Sequence, residues 1–212
     1  MFGRNREIKL FKEIRIDSFL DEKEREIQNK IGRYSDHALI SLNIEKEIQS
    51  LIGYANLKVP KLRKEETTSN ITTQQMNGQQ LPSGTRYQMG KTYDIEVANY
   101  SIPYTGNGEF LKCQPSNTTN HRPIIVEKQE NSILIKLTNW LQGITGNDKG
   151  IEEIKAELIK NTDIIESELE LLRNDIQEYI PVLEKRIELK LKKLIEKVNL
   201  KNDSNDKLNP FV

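Results

Sequence analysis

Cys113 and His121 are the residues to weigh first, because a thiol and an imidazole flanking one loop are the raw material of a nucleophile–base pair. A nucleophilic cysteine needs a base within reach and a third group to orient that base. Nothing in the sequence supports that geometry, and a small buried cysteine at a strand end is the commoner use of the residue. His37 and His121 are the chain's two histidines, and neither sits in an HExxH-like ligand spacing. His121 reads as a solvated loop residue beside Arg122; His37, ahead of an apolar stretch, reads as structural or exposed. No Walker A motif, GxGxxG or GxSxG occurs. Carboxylates are plentiful but fall on charged helix faces, so pairing any two as acid and base is arbitrary. Trp140, Tyr100 and Tyr104 read as cover for a β core. The expectation is a chain with no catalytic residues, no cofactor and no metal.

The elements that would position any site come from a chain of 212 residues, 35% hydrophobic and 30% charged. Lys+Arg and Asp+Glu balance at 32 each, so the whole chain does not advertise an anionic partner. A single cysteine excludes an internal disulfide framework and suits a reducing cytosol, making a cytoplasmic location the expectation. No apolar run approaches the roughly 20 residues of a membrane span, and the charged start lacks a signal-peptide core.

Residues 1–56 read as short helices. Ile8, Phe11, Ile14 and Ile16 form a rough apolar face, Ser18 and Asp21 resemble a capping box, Gly32 is a stop, and Asn43 starts another helix. Residues 57–80 are polar, lack a sustained period and read as a linker. Residues 81–140 read as a small antiparallel β domain of about four to six short strands. Tyr93, Ile95 and Val97 alternate with acidic residues there, and Tyr104–Gly108 reads as a turn.

Residues 141–212 are a long amphipathic helical region. Its stripe includes Ile154, Leu158, Ile165, Leu169, Leu172, Ile176, Leu183, Ile187 and Leu194, spaced in threes, fours and their multiples. These are the expected packing interface, toward its own other half, the N-terminal helices or another chain. Pro181 interrupts the stripe and predicts a kink or the hinge of a helical hairpin. Before it the charges are mainly acidic and after it mainly basic, which favours antiparallel pairing in a hairpin or a two-fold dimer. The alternative use of the basic half is nucleic-acid contact through Lys185, Arg186, Lys190, Lys193 and Lys197.

Met89–Tyr93, then Ile102–Ser116, then Ile187–Leu194, with Val59-Pro60-Lys61-Leu62 upstream, resemble a pattern in large, mostly uncharacterised bacterial proteins. That pattern reads approximately G-T-x-V, V-P-F-x-G-D, L-F-x-x-x-P-S and I-E-x-R-K-x-x-L. In that family the unit precedes a C-terminal restriction-endonuclease-like domain of the PD-(D/E)XK type. The likeness runs from about residue 50 to the end, where Leu208–Val212 looks like the family's closing turn. Thr105, Asn107 and Lys190 depart from or soften the pattern, and the E-C-K motif of the nuclease domain is absent. The resemblance implies a nuclease-associated module in an anti-phage setting, either a piece of a longer protein or a free-standing relative.

The expected fold is therefore α+β: short N-terminal helices, a small antiparallel sandwich or curved sheet, and a long C-terminal helical hairpin or coiled coil. The expected function is non-catalytic assembly or sensing. The C-terminal helices would build a homo-oligomer or dock a partner helix, and the module would position or regulate an effector such as a nuclease.

Overall fold

The computed structural model describes residues 6–81, 88, 90–119, 121–140 and 143–208. Its first element corrects the helical reading of the N-terminus. Ile8 and Leu10 are buried while Lys9 between them is exposed, the period of a strand, and β1 (Arg6–Lys9) is one. Phe11 then turns at a positive φ of 57°, and β2 (Ile14–Arg15) leads straight into α1 (Ile16–Ile31). The helix starts ahead of Ser18, so the Ser18–Asp21 capping box does not form; Arg15 is the N-cap and supplies no side-chain bond. Gly32 follows the last residue of α1, as expected. A short α2 (Asp36–Ile40) precedes α3 (Ile44–Ala55), whose N-cap is Asn43, its side chain accepting from the Lys46 amide at 3.0 Å.

The segment read as a linker holds two strands. β3 (Lys61–Leu62) is short, but β4 (Thr68–Asn77) runs ten residues and pairs antiparallel with β5 (Thr92–Thr105) along its whole length. The alternation that normally betrays a strand is missing because β4 is exposed on both faces over Thr68–Thr73. A short β6 (Cys113–Gln114) pairs in parallel with β2. The main sheet is completed by β7 (Ile125–Lys128) and β8 (Ser132–Leu137), in the order β1-β7-β8-β5-β3, with β4 also on β5. It curls as an antiparallel half-barrel. At the end of β5, Gly106 takes φ +94° against the backbone of Lys58 and Val59, where a Cβ would lie 2.9 Å from both carbonyl oxygens. Only glycine fits that approach.

The C-terminal region is one helix, α4 (Asp148–Leu208), of 61 residues or about 90 Å. It passes through Pro181 without ending, which removes the hairpin alternative. The proline forfeits one backbone bond, to the carbonyl of Gln177, at a cost of about 3 kcal/mol. Pro181 and Gln177 are both exposed, so the break lies on the solvent side of the helix. On the opposite side Ile176, Leu183 and Ile187 are buried at both flanks of the break. Each fully buried side chain of this kind contributes about 1.5–3 kcal/mol, which outweighs the single bond. The α+β class stands, with one spine helix in place of a hairpin. Residues Asn209–Val212, where the family-like closing turn was expected, lie outside the described residues.

Candidate functional site

The stripe on α4 supplies core rather than a free face. Ile154, Ile165, Leu169, Leu172, Ile176, Leu183 and Ile187 are buried, Leu158 and Leu194 partly so, and all join one core with β1, β5, β7, β8, α1 and α3. What covers them is this chain. Part of the charge asymmetry of α4 is likewise answered inside the chain. In the basic half Arg186 meets Glu24 of α1 at 2.6 Å and Lys201 meets Asp36 of α2 at 2.8 Å. Tyr179 donates to Glu24 at 3.1 Å, and burial followed by that carboxylate pushes its hydroxyl pKa well above the usual tyrosine value. Of the candidate nucleic-acid residues, Lys185, Lys190, Lys193 and Lys197 are exposed, whereas Arg186 is held by Glu24.

The acidic half holds loops. Lys64 meets Glu166 at 2.6 Å and Asp163 at 3.5 Å, and Arg173 donates to the Pro60 carbonyl at 3.0 Å. Two further carboxylates seven residues apart, Glu168 and Asp175, grip the loop after β6. Asp175 accepts from the Ser116 amide at 3.0 Å and from its hydroxyl. Glu168 accepts from the Thr119 amide at 3.0 Å, the Thr118 hydroxyl at 3.1 Å and the Thr119 hydroxyl. Its side chain is fully buried, a placement that a carboxylate tolerates only when so many donors replace water.

His121 closes this arrangement and is not the solvated residue expected from the sequence. Its side chain is 8% exposed. Nδ1 lies 2.8 Å from the Arg122 carbonyl, so that nitrogen carries a hydrogen. Nε2 lies 3.4 Å from Glu168 Oε1 and makes no aligned hydrogen bond. Cys113 takes no part. It is buried, donates weakly to the Glu109 carbonyl at 3.5 Å, and burial pushes its thiol up to about 12. At neutral pH that sulfur is a thiol, not the thiolate a nucleophile needs.

Beside His121 a cleft of about 870 Å³ opens between β7–β8 and residues 156–164 of α4. Ile124, Ile135, Leu137 and Ile164 give it apolar walls. Arg122, Lys136 and Lys160 stand at its rim against one acidic lining residue, Glu157. Lys136 is paired with Glu127; Arg122 and Lys160 make no ion pair among the described residues. Ala156, Lys160 and Ile164 recur every fourth residue and so form one wall. An apolar recess with two uncommitted cations at its mouth suits an anion with an apolar body. Among the described residues no group of three or more His, Cys, Asp or Glu side chains is placed to hold a metal, and no helix is long and apolar enough to cross a membrane.

The sequence reading missed Glu168, Asp175 and the cleft. A faint signal existed for the first: Glu168 borders the stripe between Ile165 and Leu169, where a carboxylate is out of place on a purely solvated face. No family model, no curated protein and no solved structure matches the chain.

Proposed function

We propose that this chain is a non-catalytic sensing module that positions or regulates an effector through its spine helix. The observation that carries the reading is the cleft between β7–β8 and α4, whose neighbour His121 touches Glu168 on the same helix. A ligand seated there contacts the sheet, the clamped loop and α4 at once. Its occupancy can therefore bias the loop–helix clamp, and α4 runs on past Val198 to Leu208. The effector we infer from the sequence resemblance is a nuclease, in bacterial anti-phage defence. The ligand class is a small amphipathic anion.

A naphthalene sulfonate dye tests the ligand class, since it joins a fused aromatic body to one negative charge. Saturable binding at one site is expected, weakened about tenfold or more in Arg122→Glu/Lys160→Glu, the effect of two lost charge contacts. Equal binding by wild type and the double variant would sink the reading. The alternative, nucleic-acid binding, rests on the exposed Lys190, Lys193 and Lys197, which follow one side of α4. It requires an affinity for DNA or RNA that falls steeply with salt.

A further inference from the structure

The sheet has edges of unlike character. At one end β1 is four residues long, and its Arg6, Glu7 and Lys9 are charged. The short β3 follows Pro60 and begins with Lys61. Short length, charge and proline are the devices that keep strand edges from pairing with other chains. β4 has none of them. It is ten residues long, has no proline, and pairs one-to-one from Thr68↔Ser101 to Asn77↔Thr92 with no bulge. Its only strand neighbour among the described residues is β5. From Thr67 to Leu81 there is no charged residue, in a chain that is 30% charged. Thr68–Thr73 are all exposed, Ile71 at 47%. The strand is nonetheless firmly placed: the buried Asn99 donates to the Thr72 hydroxyl at 2.9 Å across the β4–β5 pair.

We propose that the open edge of β4 pairs antiparallel with β4 of a second copy, joining two half-barrels across a two-fold axis. Every second residue of an edge strand points its N–H and C=O outward, and strand addition satisfies those groups. A two-fold contact requires a segment that complements itself. With the axis through Thr72, that residue meets its own counterpart, Ile71 meets Thr73, and Asn70 meets Gln74. No like charges are opposed, and threonine and amide side chains hydrogen-bond well across strands. A foreign strand would have to be selected by charge or shape, and β4 offers no charge to select by. The surface shares no residue with the stripe of α4, whose residues are already covered, and it stands whether or not the cleft takes a ligand.

Light scattering from about 1 to about 100 µM, bracketing a micromolar Kd, is expected to show the mass rising toward twice 24.6 kDa. High salt should leave the dimer intact, because no ion pair builds it. Ile71→Lys/Thr73→Lys places lysine opposite lysine twice and should give a monomer with native far-UV circular dichroism. Leu189→Lys, on an exposed position of α4, should leave the dimer unchanged. On the wild type, amide exchange at alternate positions of Thr68–Asn77 should slow at the high concentration, which decides the matter even if the lysine variant misfolds. A wild-type monomer at the top concentration overturns the proposal. So does a dimer that survives the lysine pair, dissociates in Leu189→Lys, or leaves β4 exchange unchanged.

Discussion

Glu168 Oε1 lies 3.4 Å from His121 Nε2, with both side chains shut away from solvent. The pair joins the loop after β6 to the middle of α4, forty-seven positions apart in sequence by the residue numbers, 168 − 121. Around it Thr118 and Thr119 turn three donors onto the same carboxylate. The ring meets that carboxylate as an ion pair when both nitrogens carry hydrogen. Glu168→Ala removes the acceptor and leaves the Thr119 amide and hydroxyl without their partner. The expected loss is about 2–4 kcal/mol, or about 5 to 15 °C in Tm for a chain of this size. Exchange of the amides of Ser116 and Thr119 should rise. An unchanged melting temperature would remove the clamp from the account.

The α4 stripe predicts a further outcome. Leu169→Ala and Ile187→Ala each open a cavity in the chain's own core and should cost about 2–5 kcal/mol. Because no second chain covers these residues, the loss should be the same at every protein concentration. A gap in melting temperature between variant and wild type that closes as concentration rises would return the stripe to an intermolecular interface.

Cys113 should be inert in the folded chain. Burial carries its thiol from 9.0 to about 12. That shift leaves about a thousandth of the thiolate an unperturbed cysteine has at the same pH. Ellman's reagent at pH 8 should therefore react slowly with native protein and quickly after denaturation. Rapid native labelling would reopen the nucleophile.

Pro181→Ala should stabilise the chain. Alanine restores the amide that can bond to Gln177, and the substitution is expected to gain about 1–3 kcal/mol after the loss of proline's stiffening of the unfolded chain. A hairpin with its hinge at Pro181 would instead lose stability, so the sign of the change in Tm distinguishes the two.

Glu96 gives a pH dependence. Its carboxylate accepts from the Thr145 hydroxyl, the Thr145 amide at 2.9 Å and the Ile144 amide at 2.6 Å, which together hold its pKa below 4.5. A folded-state value below the unfolded one means the contribution is present above the unfolded value and is lost as pH falls through the folded one. Wild type should therefore lose Tm faster than Glu96→Gln as pH drops below about 4.5, the two curves converging in strong acid. Parallel curves would show that the contact carries no such linkage.

Legibility differed from element to element for physical reasons. The α4 stripe is long and periodic, so its burial was readable, as were the Asn43 cap and the Gly32 stop. β4 escaped notice because an edge strand exposed on both faces carries no alternation; its absence of charge was visible but resembles a linker. β1 escaped because four residues are too few for a period to assert itself. His121 looked solvated because its neighbours in sequence are polar, while its neighbours in space are Glu168 and the wall of α4.

By itself the sequence determined that the chain mixes helices with antiparallel strands and that a long helical segment, hairpin or single helix, must bury an apolar stripe. It also determined that the two halves of that helix carry opposite charge. Periodicity and composition record these because each is a local pattern. The tertiary structure decided what covers the face, that the helix continues through Pro181, and which charges meet: Arg186 with Glu24, Lys201 with Asp36, Glu168 and Asp175 with the loop. Burial leaves its mark on the residue that is buried, but nothing in that residue names the partner that covers it.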